Sequence, residues 1–105
     1  MITETNENTV PSTIEEVVKK YGLKVKGMKS SCGIFIGEIS DHAAKRIVER
    51  GISLAVLEDA IANSSIVYPG NKQGTTCQQK GNIRLVLANN DGTIVSVVAR
   101  IHSEE

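Results

Sequence analysis

The order of patterns along the 105-residue chain predicts an α+β domain in which N-terminal helices pack on a twisted antiparallel sheet of about four strands. Apolar residues recur with helical spacing up to Asn63. In the later segments apolar and polar residues alternate as in strands, and turn sequences separate these segments. Asp91-Gly92, between two apolar runs, is typical of a β-hairpin. Helices followed by strands therefore favour separate α and β halves.

The length fits one domain with a modest core. Residues 1–10 are polar and lack periodicity, so we expect a flexible tail or linker there and a single domain over residues 11–105. With no Trp, one Phe and two Tyr, the core must consist mainly of Ile, Val, Leu and Ala.

Three helices are predicted from capping residues. Ser12 and Glu15 have capping-box spacing and predict a first helix that ends before Gly22. Ser40 or Asp41 caps a second helix, which ends at about Arg50 before a glycine, and Ser53 caps a third. Between the first two, Leu23, Val25 and residues 34–36 suggest one or two short strands.

The strands are predicted over residues 66–68, 75–79, 82–88 and 93–101. Alternation places Arg84 and Val86 on the face opposite Ile83, Leu85 and Leu87. In the last strand it places Val95, Val97, Ala99 and Ile101 on one face, and the opposite face receives Ile94, Ser96, Val98 and Arg100.

Composition excludes several classes of protein. The formal net charge is zero, which argues mildly against a nucleic-acid-binding module but leaves room for a local basic patch. Cys32 and Cys77 are too few for a disulfide scaffold and lack zinc-site spacing, so we expect reduced thiols, with one long-range disulfide as the alternative. We expect no metal, no cofactor, no signal peptide and no membrane binding.

The helix after Ser40 separates polar from apolar side chains. At roughly 100° per residue, its polar arc contains His42, Lys45, Arg46, Glu49 and Arg50. One interpretation is an ordinary amphipathic helix with a solvated face. The other is a site in which His42 serves as a general base while Lys45 and Arg46 hold a phosphate.

Residues 40–53 contain the pattern H-x-x-x-R-x-x-x-R-G-I-S, which resembles the opening of small bacterial domains related to the barnase/EndoU/colicin/RelE-type RNases. The similarity covers about residues 38–101, and the order of elements agrees with it. The resemblance implies a metal-independent endoribonuclease toxin that cleaves RNA, most often tRNA, by attack of the ribose 2′-OH. It also implies action in the bacterial cytoplasm, with delivery as the C-terminal toxin of a secreted contact-dependent growth-inhibition protein as one route.

The resemblance assigns roles to the helix. His42 matches the motif's histidine and would act as base or acid, Arg46 would stabilise the phosphate, and Lys45 would share that task. Arg50 matches the second arginine and would bind substrate, or would only favour the helix dipole. From the predicted strands, Ser96 would donate to the scissile phosphate or hydrogen-bond locally.

Further substrate-binding candidates on the strands are Arg84, Thr76 and Tyr68, and we expect His102 to be an ordinary surface residue. A cognate immunity or antitoxin protein is the expected partner. Neutral charge and few aromatic residues also suggest a helper, such as a translation factor, that presents the tRNA. The alternatives are a non-catalytic binding or regulatory module of the same fold and an enzyme acting on DNA.

Overall fold

The computed structural model describes residues 11–99. The predicted tail and His102 lie outside this range. Three helices precede four strands in the described chain, and we number them α1 (the contiguous segments Ile14–Glu16, Val17–Tyr21 and Gly22–Val25), α2 (Asp41–Arg50), α3 (Leu54–Asn63), β1 (Ile66–Pro69), β2 (Thr75–Lys80), β3 (Ile83–Ala88) and β4 (Ile94–Ala99). None of these helices is long and apolar enough to cross a membrane.

The four strands form one antiparallel sheet in the order β1-β2-β3-β4. The predicted α+β class is therefore confirmed. Each strand pairs with the strand next to it in the chain, because the turns between consecutive strands are short. At the β3–β4 turn, Gly92 has a φ of +75°, which the Asp-Gly signal anticipates.

The core lies between the helices and one face of the sheet. Its fully buried members include Ile47 of α2, Leu57 and Ile61 of α3, and Leu85 and Leu87 of β3. The opposite face of the sheet contains Arg84, Val86 and Val98, each only partly buried. We call it the open face, and the predicted alternation along β3 is confirmed.

Helix α1 differs from its prediction at both ends. Thr13, not Ser12, is the capping residue, because its Oγ1 accepts from the backbone N of Glu16 at 3.0 Å. The helix also passes through Gly22, and its middle turn, Val17–Tyr21, is a π-helix. Val17, Tyr21 and Val25 are all buried, so apolar packing outweighs the cost of about 1 kcal/mol for a helical glycine.

The predicted strands between α1 and α2 are largely wrong. Leu23 and Val25 are helical, and the following loop contains one isolated antiparallel bridge, between Lys29 and Phe35. The loop returns to the sheet at Ile39, which forms a parallel bridge with Ile94. The start of β4 is thus covered on its outer edge.

The predicted faces of β4 are also corrected. Leu87 pairs with Ile94 and Val86 pairs with Ser96, so Val95 is an extra residue in a bulge. Ile94 and Val97 consequently both point into the core, while Val95, Ser96 and Val98 remain partly exposed. Ile94 therefore does not share a face with Ser96.

Candidate active site

Ser40 fixes the start of α2 against β4. Its Oγ accepts from the backbone N of Ala43 at 3.0 Å, which caps the helix. The same hydroxyl donates to the carbonyl oxygen of Val95 at 2.9 Å, and the Ser40 backbone N donates to that of Ile94 at 3.1 Å. One residue thereby sets the position of the helix relative to the edge strand.

A cleft of about 230 Å³ lies between α2 and β4. On the helix side it is lined by His42, Arg46 and Arg50, and on the strand side by Ser96 and residues 97–99. The three helical side chains are spaced four residues apart and therefore lie along one flank of the helix. We call this the His42 cleft. It brings together four residues that the sequence analysis assigned to the site.

The polar arc predicted for α2 is confirmed, because all five of its members are exposed and Ala43, Ala44 and Ile47 are buried. Within that arc, Arg46 Nη1 lies 3.2 Å from Glu49 Oε1, in a pair that is half exposed. Such a surface ion pair is weak, so a phosphate can compete for Arg46. Lys45 is exposed on the same arc but does not line the cleft.

The open face carries a second pair of candidates. Arg84 donates from Nη1 to the hydroxyl of Tyr68 at 3.2 Å, and this hydrogen bond raises the pKa of Arg84 above its ordinary value. Arg84 is therefore a permanent cation. It pairs across the sheet with Val98, which also lines the His42 cleft. Arg84 thus lies beside the His42 cleft, one strand further into the sheet, and Tyr68 reaches it from β1.

Thr76 does not join these residues. It pairs with Leu87, whose side chain is buried on the core side, and its Oγ1 donates to Asn89 Oδ1 at 2.6 Å. Tyr68 pairs instead with Cys77, on the open face. The two predicted hydroxyl donors are therefore on opposite faces of the sheet.

Cys32 and Cys77 are free thiols. Cys32 Sγ lies 3.2 Å from Ser30 Oγ, whereas Cys77 is buried beside Arg84. Within residues 11–99, no three His, Cys, Asp or Glu side chains are grouped so that they could hold a metal ion.

Gln78 is a structural residue that the sequence analysis missed. It is fully buried, and its Nε2 donates to the carbonyl oxygens of Ala60 at 2.7 Å and Ile61 at 2.8 Å. Its Oε1 accepts from the backbone N of Cys32 at 3.3 Å. Gln78 therefore joins the C-terminal end of α3, the loop between α1 and α2, and the sheet.

Comparison of the chain with protein-family models, with curated proteins and with solved structures found no match.

Proposed function

We propose that this chain is an endoribonuclease toxin that cleaves RNA, with tRNA as the preferred substrate class, through the His42 cleft. The observation that carries the proposal is that one cleft combines an imidazole, two guanidinium groups and a hydroxyl. These groups are the ones that phosphodiester transesterification requires. The resemblance of residues 40–53 to barnase/EndoU/colicin/RelE-type RNases supports the same conclusion independently.

The proposed reaction needs no metal and no cofactor. The 2′-oxygen of the ribose forms a bond to phosphorus, the bond from phosphorus to the 5′-oxygen breaks, and the products are a 2′,3′-cyclic phosphate and a 5′-hydroxyl. One proton leaves the 2′-OH and one reaches the 5′-oxygen. His42 performs one of these transfers and solvent water the other. Arg46 and Arg50 stabilise the charge on the phosphate, and Ser96 donates a hydrogen bond to it. Lys45, outside the cleft, would attract the RNA.

The proposal extends to partners. A toxin of this kind requires a cognate immunity or antitoxin protein, and an acidic surface on that protein would cover the exposed face of α2. A translation factor that presents the tRNA would compensate for the zero net charge of the chain. The site of action is then the bacterial cytoplasm, reached in one route by delivery from a secreted surface protein.

One observation favours the non-catalytic alternative, a binding or regulatory module. The exposed imidazole of His42 makes no hydrogen bond to another residue within the range 11–99, whereas a catalytic imidazole is usually oriented by a partner. In this alternative the cationic flank of α2 would bind a phosphate without cleaving it.

The test is cleavage of total tRNA by the purified chain, alone and with a bacterial extract that supplies translation factors, with mass spectrometry of the new ends. We expect a cyclic phosphate, and a His42→Ala variant should lose activity about 100-fold or more, as loss of a general acid or base does. Since His42 is exposed, this variant should unfold at the same urea concentration as the parent. Lys24→Ala, on α1 and outside the cleft, is the matched control and should retain activity.

Two results would contradict the proposal. Equal cleavage by the parent and by His42→Ala would show that His42 is not part of the active site. Absence of cleavage both with and without the extract, with retained RNA binding, would favour the non-catalytic alternative. An RNA with a 2′-deoxy sugar at the scissile position must resist the parent. Cleavage of that analogue would indicate a nuclease that does not use the 2′-OH.

A further inference from the structure

A second cleft, of about 270 Å³, opens on the sheet next to the His42 cleft. Its floor is apolar and consists of Val86, Val95 and Val98, with the buried thiol of Cys77 beside them. The volume is slightly below the range of about 300–1,000 Å³ that is typical of sites for drug-sized ligands. The cleft is therefore suited to a single planar ring system.

The wall of this cleft is polar and cationic. Tyr68 contributes an aromatic ring, Arg84 a guanidinium group hydrogen-bonded to the Tyr68 hydroxyl, and Asn71 and Lys72 come from the exposed β1–β2 loop. An aromatic ring and a guanidinium plane are the surfaces on which unpaired nucleobases stack, and an amide side chain can hydrogen-bond to a base edge.

The two clefts are neighbours on β4. Val98 lines both of them, and Ser96 of the His42 cleft pairs across the sheet with Val86 of the second cleft. Ser96 and Val98 are two residues apart in β4, a separation of about 6–7 Å. A phosphate in the first cleft would thus lie roughly one nucleotide from a ring in the second.

We propose that the second cleft is a nucleobase site, which receives one unpaired base of the RNA whose phosphate lies in the His42 cleft. This inference rests on the proposed function and adds that the substrate is single-stranded at the cut. The partial burial of Arg84 and the apolar floor favour a flat, weakly polar ring over a second phosphate, which would lie more favourably among exposed cations.

The test is calorimetric binding of nucleoside 3′-monophosphates, with inorganic phosphate and the free nucleosides as reference ligands. We expect at least one nucleoside 3′-monophosphate to bind about tenfold or more tightly than phosphate, which corresponds to one base-stacking contact. Tyr68→Ala should remove that advantage while leaving phosphate binding unchanged. Lys72→Ala should weaken nucleotide binding, and Lys24→Ala, an exposed lysine that lines neither cleft, should not.

Alkylation of Cys77 provides a second measurement. In a Cys32→Ala background, a bound base should slow alkylation of the remaining thiol, and inorganic phosphate should not. Equal affinity for phosphate and for every nucleotide, with no protection of Cys77, would overturn the nucleobase site and leave the proposed function intact. Failure of the proposed function would show differently, as absence of RNA cleavage by the parent.

Discussion

A buried amide helps to hold the end of α3, together with Ser31 and Ser64. Gln78 donates to two consecutive carbonyl groups of that helix, and these groups are among those that a helix end leaves without intrahelical partners. Strand β2 reads Thr-Thr-Cys-Gln-Gln-Lys and has no apolar alternation. Sequence alone therefore could not assign a face to Gln78 or to Thr76, because the register with β3 decides it.

Gln78→Met should lower the free energy of unfolding by about 1–3 kcal/mol, since it keeps the side-chain volume but removes two buried hydrogen bonds and leaves the backbone N of Cys32 without its acceptor. Urea unfolding measures the change. Gln79→Met is the matched control, because Gln79 is partly exposed and should change stability by less than about 0.5 kcal/mol. Equal effects of the two variants would show that Gln78 does not support α3.

Gly92 is required for two reasons. Its φ of +75° is disfavoured for other residues, and a Cβ atom there would overlap the carbonyl oxygen of Phe35. Gly74 has a similar φ of +83°, but a Cβ there would meet no atom within 4 Å. Substitution at Gly74 therefore measures the cost of the left-handed backbone alone, whereas substitution at Gly92 adds the cost of the steric overlap.

We expect Gly74→Ala to destabilise the chain by about 1–2 kcal/mol, the cost of the left-handed conformation. Gly92→Ala should cost about 3 kcal/mol or more, because the loop before α2 must also move away from the β3–β4 turn. Thermal unfolding followed by circular dichroism compares the two. A Gly92→Ala variant no less stable than Gly74→Ala would contradict the close approach of these two loops.

Among the secondary structure elements, α2 and α3 were predicted almost to the residue, because serine caps and a clear apolar stripe mark both. The loop before α2 could not be predicted in this way, because its path depends on contacts with the β3–β4 turn, which is distant in the chain. The bulge in β4 was not predictable either. It is an insertion relative to β3, and only the pairing reveals it.

Ser40→Ala and Ser53→Ala test whether a cap positions the site. Each hydroxyl accepts from a backbone N–H in the first turn of its helix, but only that of Ser40 also donates to Val95 in β4. We expect the free energy of unfolding to fall by about 1 kcal/mol for Ser53→Ala and by about 2 kcal/mol for Ser40→Ala. RNA cleavage, measured below the unfolding transition, should fall only for Ser40→Ala. If both variants cleave at the parent's rate, the hydroxyl of Ser40 does not position α2 for catalysis.

For the molecule as a whole, twelve acidic and twelve basic residues leave no general attraction for RNA. The cations of the two clefts are few, namely Arg46 and Arg50 in one and Lys72 and Arg84 in the other. RNA binding by the chain should therefore depend only weakly on salt.

A 2′-O-methylated single-stranded oligonucleotide, which lacks the attacking hydroxyl, allows this to be measured. The logarithm of its association constant should fall with the logarithm of salt concentration with a slope between about −1 and −3, at about −0.7 per neutralised phosphate. Arg46→Gln should make the slope shallower by about one such increment. A slope steeper than about −5 would show a larger basic surface than the two clefts provide.

The α+β class, the four strands and the exposed polar flank of α2 could thus be predicted, because local periodicity and capping residues encode them. The sequence analysis also assigned His42 and Ser96 to one site, but local patterns could not give the geometry of the cleft that they line. In the chain 53 residues separate them, and the packing of α2 on β4 forms that cleft.

That separation has a practical consequence. The exposed loop at residues 71–73 lies between the segment with the imidazole and the segment with the serine. If the proposed activity is correct, a chain divided there would yield two harmless fragments. A lethal product would then form only in a cell that makes both, so the fold offers a natural place to build a two-input genetic switch.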